Sequence, residues 1–312
     1  MSKSRDAKRP GKAGMRLGYV GLGKMGFNMV ERLVEKGYEP VVFDVDEAAL
    51  KEAAGLPVEP APDLKSLAIN LASPRLIWLM IPHSTVDEAI DNLMRHLGRG
   101  DTIIDGGNSY YKDSMRRAES LAGKGIDFLD AGVSGGPAGA RSGSCIMVGG
   151  KKETFAKYER LFSDLSVKNG YGYMGGHGAG HFVKMVHNGI EYGMMQALAE
   201  GFTIMKQAPF HLDLEKIAEL YNHGSVITSS LVGWLKEAFE EYGQGLDSIS
   251  GTVAQSGEGM WTVEAGREYG ASAPVIEGSV NFRTFSQDHP NYTGQVLSAL
   301  RNQFGRHDVF KK

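Results

Sequence analysis

The chain of 312 residues has one cysteine, Cys145, so no disulfide can form within it. A lone thiol fits a reducing cytoplasm. Cys145 sits in an apolar run, SCIMVGG, which reads as a strand with the thiol packed inside. Long hydrophobic runs are also lacking. The longest, Leu76 to Pro82, is far too short to cross a bilayer. There is little excess of either charge: the net value is −3, so no global field favours nucleic acid or an anionic membrane. Metal ligands are too few and badly spaced. His177 and His181 are four apart, but the first precedes a helix and no third ligand has suitable spacing, while a zinc site needs three or four. No Cys/His protease pattern occurs. Residues 1–14 are rich in Lys and Arg with no apolar core behind them, which excludes a secretory signal. They read as a disordered leader, with the folded chain starting at Met15.

What is present begins with 42% hydrophobic residues, ample for a core. The length suggests two domains. MRLGYVGLGKMG gives a short apolar strand, Leu17 to Val20. It then turns through Gly21-Leu22-Gly23-Lys24-Met25-Gly26 into a helix, Lys24 to Lys36. This is the G-x-G-x-x-G fingerprint in a strand–turn–helix setting. Its first two glycines allow a tight turn and close approach of a pyrophosphate, and the third lets helix pack on strand. A second strand, PVVFD, ends at Asp44, about twenty residues on, where a carboxylate can bind the ribose hydroxyls of NAD. Two alternatives stand beside this reading: a glycine turn with no ligand, and an Asp44 that only caps a helix over Asp46 to Ala54.

Strand patterns recur at Leu76–Ile81, Thr102–Asp105, Phe128–Ala131 and Cys145–Val148. Helical patterns lie between them at Thr85–Leu97, Ser114–Lys124 and Lys151–Leu165. Such alternation predicts an α/β, Rossmann-like, doubly wound parallel sheet over residues 15–177. Two glycine-rich loops fall at carboxyl ends of strands. One is DGGNS with Asn108, and the other is AGVSGGPAGARSG with Ser134, Gly135 and Gly136. Glycines there let a substrate reach backbone N–H groups, although either loop alone could be an ordinary turn. From Gly178 onward strand signals stop, and residues 178–312 read as an all-α domain. Its helices are expected up to about Ala199, then over Leu214–Tyr221, Ile227–Tyr242, Met260–Tyr269 and Pro274–Thr284. The last stretch, from Val296, reads as a polar tail.

The helix opening at Gly178 carries Lys184, His187, Asn188 and Glu191 at spacing i, i+3, i+4, i+7. At about 100° per residue these share one face, with Tyr192 at its edge. An amine, an imidazole, an amide and a carboxylate are costly to bury unless paired or used. A hydrated network along the face is the bland reading. The functional one is an acid/base pair, with Lys184 lowered into a general base and Glu191 serving as acid.

With the glycine fingerprint, DGGNS, VSGG and GHFVKMVHNGIEYG in that order, the chain from Met15 on resembles the decarboxylating 6-phosphogluconate dehydrogenase family, at a length matching its short branch. The resemblance implies a Rossmann domain, an all-helical second domain, and a homodimer or homotetramer. It implies oxidation and decarboxylation of 6-phosphogluconate to ribulose 5-phosphate in the pentose phosphate pathway. Lys184 then matches the general base and Glu191 the acid, while His187 and Asn188 hold substrate hydroxyls. Asn108 and Ser134–Gly136 match substrate and nicotinamide contacts. Tyr192, Arg283 and Arg301 match phosphate ligands, with Arg301 and His307 supplied by the neighbouring chain's tail. Phe43-Asp44-Val45-Asp46 stands where NADP-using relatives carry Asn-Arg-Thr, which points to NAD, with NADP less favoured. The family's GTGKWT is here GEGMWT, so Met260 replaces a phosphate-binding Lys and Glu258 adds negative charge. Met194 stands where an Asp is expected. The alternatives are a β-hydroxyacid dehydrogenase of 3-hydroxyisobutyrate or tartronate semialdehyde type, whose helix reads K-x-x-N-N without G-G-N-S, and a non-catalytic NAD-binding scaffold.

Overall fold

The computed structural model describes residues 14–306 and Val309. Its first half alternates strands and helices: β1 (Arg16–Val20), α1 (Lys24–Glu35), β2 (Glu39–Phe43), α2 (Glu47–Ala53), β3 (Glu59–Pro60), α3 (Leu64–Ile69), β4 (Leu76–Leu79), α4 (Val86–Leu93), β5 (Thr102–Asp105), α5 (Tyr111–Ala122), β6 (Asp127–Ser134), α6 (Gly136–Ser142), β7 (Ser144–Gly150), α7 (Lys152–Leu165) and β8 (Ser166–Gly175). These strands form one sheet in the order β3-β2-β1-β4-β5-β6-β7-β8. The order reverses direction at β1, where β2 lies on one side and β4 on the other, and a crevice opens at the carboxyl ends of those strands.

The strands bury both faces because alternate side chains feed different cores. Leu17, Tyr19 and Trp78 join Met29, Leu33 and Phe162 on one side. Val20, Ile77, Leu79 and Ile103 join Leu67, Ile90 and Leu121 on the other. That is the period of two working inside a sheet covered by helices on both faces. One expectation needs correction: β7 runs antiparallel to β6. Only the seven-residue α6 separates them, too short for the crossover a parallel return requires. The strand β8 was not expected from the sequence; it adds parallel to β7.

The second half is helical: α8 (Ala179–Gln207), α9 (Leu214–Tyr221), α10 (Ser230–Tyr242), α11 (Glu258–Glu268), α12 (Pro274–Asp288) and α13 (Tyr292–Gly305). The helix α8 is 29 residues long, about two turns beyond the expected end. Its first turns lie on β6 and β7, and its last turns join α9, α10 and α13 in a core of Met195, Phe202, Leu235, Phe239, Val296 and Leu300. The expected polar tail is the second correction. Every residue of α13 from Thr293 to Arg301 is buried. The helix is capped by the Asn291 side chain, which accepts from Gly294 N at 3.1 Å. His307 lies outside the described residues.

Candidate active site

The glycine loop is built as its spacing implies. Gly21 has φ of 99°, and a Cβ there would strike the Met80 carbonyl. A Cβ on Gly26 would strike the carbonyl of Gly21, so the third glycine lets α1 start hard against the turn. Gly23 has open space at its Cβ position and lines the cleft. The Asp44 carboxylate closes the loop from the end of β2. Its Oδ2 accepts from Leu22 N at 2.5 Å and its Oδ1 from Asp46 N at 2.8 Å. The cap of α2 is Asp46, which accepts from Ala48 N. Asp44 is therefore tied to the glycine loop rather than spent as the cap.

One cleft of about 1170 Å³ runs from this loop to the helical half. It takes in Gly23, Lys24, Met25 and Gly26 from the fingerprint, Asn108, and Ser134, Gly135 and Gly136. From the helices come Lys184, His187, Asn188, Glu191, Tyr192, Arg283 and Arg301. Gly21, Leu22 and Asp44 stand just behind its wall. Asn108 is held because Asp105 braces the loop around it. Asp105 Oδ1 accepts from Gly107 N at 3.1 Å, and Oδ2 accepts from Ser109 Oγ at 2.8 Å and from Arg117 Nη1 at 3.2 Å.

The polar face of α8 closes into a network. Lys184 Nζ donates to Asn188 Oδ1 at 2.8 Å, and His187 Nδ1 lies 3.0 Å from the same oxygen. The other imidazole nitrogen, Nε2, is 3.2 Å from Ser134 Oγ, and Glu191 Oε2 is 3.8 Å from His187 Nδ1. Burial pushes the Lys184 amine below the ordinary lysine range, against the opposing pull of Glu191, Glu258 and Cys145. Burial and the Lys184 charge together also hold the His187 imidazole down.

At the far end Arg283 lies flat over Tyr192, its guanidinium carbon 3.3 Å from the ring centroid. Burial lowers Arg283 to about 10, and its Nη2 is buried without a hydrogen-bond partner. Burial likewise lowers the nearby Arg301. Two desolvated guanidinium groups, with the Arg283 Nη2 unpartnered, suit a doubly charged anion.

Arg301 sits on α13 and lines the cleft of its own chain. Two expectations are revised here. Cys145 is exposed and lines the cleft instead of packing inside, because alternation along β7 sends Ile146 to the core and Cys145 to the opposite face. Glu258 is 3% exposed and acts on Lys184 as well as on Arg301 and Arg283, while Met260 points to solvent. Glu258 Oε1 accepts from Asn108 Nδ2 and, at 3.5 Å, from Asn188 Nδ2. Sequence reasoning saw this carboxylate only as a liability. An acidic first residue of a helix opened by glycine was the available signal.

Comparison with known proteins fits this geometry. A family model described as the NAD binding domain of 6-phosphogluconate dehydrogenase matches residues 16–175, and one described as the 6-phosphogluconate dehydrogenase C-terminal domain matches 180–308. The chain belongs to the 6-phosphogluconate dehydrogenase family. It is 45% identical over 298 residues to a Bacillus subtilis (strain 168) protein provisionally named as such a dehydrogenase, covering 96% of this chain and 100% of that one. It is 40% identical over 300 residues to the NAD(+)-dependent, decarboxylating enzyme of Haloferax volcanii, covering 96% and 99%. Among solved structures, the Plasmodium falciparum 6-phosphogluconate dehydrogenase matches with a TM-score of 0.79 and 30% identity, covering 91% of this chain and 70% of that one. A Mycobacterium tuberculosis 3-hydroxyisobutyrate dehydrogenase matches at 0.73 with 20% identity, covering 90% and 98%, which shows a shared fold alone. Among the described residues no helix is long and apolar enough to cross a membrane.

Proposed function

We propose that this chain oxidises and decarboxylates 6-phosphogluconate to ribulose 5-phosphate and carbon dioxide, with NAD preferred to NADP. The observation that carries the reading is one cleft with a desolvated Lys184 held by Asn188 at one end and the Arg283–Arg301 pair at the other. The arginines and Tyr192 would take the phosphate, and Ser134, Gly135 and Gly136 the carboxylate end. Gly21 to Gly26, Asp44 and Asn108 would hold the cofactor, whose nicotinamide supplies the hydride acceptor when bound. Lys184, already biased toward its neutral form, takes the proton from the substrate's 3-hydroxyl as that carbon is oxidised. The resulting ammonium stays beside the new carbonyl oxygen and stabilises the negative charge that gathers there as the carboxyl leaves. Glu191 then gives a proton to the carbon that lost the carboxyl, and His187 and Asn188 orient the hydroxyls.

The cofactor preference rests on Asp44. Its carboxylate stands at the glycine loop with Asp46 close by, and no Lys or Arg follows until Lys51. A 2′-phosphate there would meet like charge. The exposed apolar side chains of the helical half, among them Ile204, Phe210, Leu220 and Val226, support a homodimer or homotetramer. The single thiol suits a reducing cytoplasm.

The test is turnover of 6-phosphogluconate with NAD and with NADP, following reduced cofactor and carbon dioxide together. Equal yields of both are expected. Reduced cofactor without carbon dioxide would remove decarboxylation, and turnover only with a short 3-hydroxy acid would replace the substrate.

A further inference from the structure

The carboxylates lining the cleft are Glu191 and Glu258, and only Glu258 is buried. It reaches the cleft from the first turn of α11. Its two oxygens have different surroundings. Oε1 accepts from the amides of Asn108 and Asn188, while Oε2 is buried and has no hydrogen-bond partner. A carboxylate oxygen withdrawn from water and left unpaired is costly. Such a group persists where something else supplies the donor.

The Oε1 contacts have a consequence for Lys184. Because Asn188 gives its NH₂ to Glu258, its carbonyl oxygen must face the other way, toward Lys184 Nζ at 2.8 Å and His187 Nδ1 at 3.0 Å. With the amide turned over, NH₂ would meet the amine, and the network could not form. Glu258 thus sets the direction of the amide that holds the amine.

We infer that Glu258 is a substrate-binding and positioning residue: Oε1 orients the Asn108 and Asn188 amides, and Oε2 accepts from a hydroxyl on the substrate's carbon chain. The inference deepens the proposed function and rests on it. A polyhydroxy acid has hydroxyls along its chain to give to Oε2. A short 3-hydroxy acid, bound through its carboxylate and one hydroxyl, has none left over. Glu258 therefore selects for sugar acids in a fold shared with enzymes of simpler acids. It also places negative charge near Lys184, which faces Glu191 and His187 on its own helix, Cys145 from β7 and Glu258 from α11.

The experiment compares Glu258→Gln and Glu258→Asp with the wild-type enzyme in the presence of cofactor. Glutamine keeps an oxygen for the two amides but offers NH₂ where Oε2 stood, and it removes the charge. It should raise KM for 6-phosphogluconate about tenfold or more. The acid limb of kcat/KM should move to lower pH by about half a unit to one unit, because the charge that held Lys184 protonated is gone. Aspartate should restore the limb but not the KM, and NAD affinity should be unchanged in the glutamine variant, which keeps the oxygen that accepts from Asn108. A glutamine variant with wild-type KM and an unmoved limb overturns the inference. If wild type itself does not turn over 6-phosphogluconate, the functional reading fails instead. Glu258 is then judged by the pH dependence of Lys184 acylation, read by mass spectrometry without substrate. An identical labelling profile in wild type and Glu258→Gln again overturns it.

Discussion

Replacing Lys184 with methionine separates what the residue does for catalysis from what it costs the fold. The side chains are similar in volume, and Asn188 Oδ1 keeps its contact with His187 Nδ1 after the change. The loss of one hydrogen bond from a protonated amine to an amide oxygen costs about 1.5–3 kcal/mol. Against it stands the burial that lowers the Lys184 pKa, since each unit of lowering is about 1.4 kcal/mol of cost to the folded state when the amine is protonated in both states. The sign follows from the direction. A folded pKa below the ordinary 10.5 means that the cost is complete below the folded value and fades as pH rises toward the unfolded one. At neutral pH Lys184→Met should therefore unfold at the same denaturant concentration as wild type or a higher one. That margin should shrink as pH approaches the ordinary lysine value. Turnover of 6-phosphogluconate should fall by about 10²–10⁴, the usual worth of a general base, with NAD binding retained. Urea melts at several pH values, paired with steady-state kinetics, make the measurement. Near wild-type turnover would end Lys184's role as base, and destabilisation by several kcal/mol would make it a structural residue.

Asp44→Ala should narrow the preference for NAD over NADP by about tenfold, the effect of some 1.4 kcal/mol of removed repulsion; a wild-type enzyme that works better with NADP would sink that reading outright. Glu191→Gln should lower overall turnover by about 10² or more, with early steps outlasting the final protonation; unchanged turnover argues against the acid role. Because Arg301 shares a chain with the cleft it lines, subunit exchange between Lys184→Met and Arg301→Met variants should recover no activity, each site keeping one lesion. Recovery after proven exchange would mean that the assembled enzyme lends Arg301 to a neighbour.

The parts legible in the sequence were those governed by local rules. The glycine fingerprint needs only the spacing of three residues, and the approach of Gly26 to the Gly21 carbonyl follows from that spacing. The face from Lys184 to Glu191 needs only the pitch of a helix. The reversal of β7 was hidden because strand direction is set by what the connection can span, and α6 looked like part of a loop. The burial of α13 was hidden for a different reason. Its core-forming Val296, Leu297 and Leu300 lie just before a charged stretch, RNQFGRHDVFKK, which dominated the reading. Glu258 is marked locally as the acidic first residue of α11, but its partners Asn108 and Asn188 come from other elements and no local pattern names them.

The site is accurate only if α8 holds its register, since a slip of one residue would turn the polar face by about 100°. Asp130 fixes the helix start, with Oδ1 accepting from Gly178 N at 2.7 Å and Oδ2 from His181 N at 2.9 Å. Gly180 then presses so close to the backbone of Asp130, Met147 and Gly149 that any side chain would be expelled. One turn on, the stem of Lys184 fills the space over Gly132. From the other side Thr262 Oγ1 donates to the Met185 carbonyl at 2.8 Å, and its methyl group covers Gly189. The helix is thus clamped by β6 and β7 on one flank and by α11 on the other, and α11 is the element that carries Glu258. A single clamp sets the pitch of the Lys184 face and the approach of the carboxylate that orients it. Changes at Thr262, outside the cleft lining, should therefore disturb Lys184 and Glu258 together.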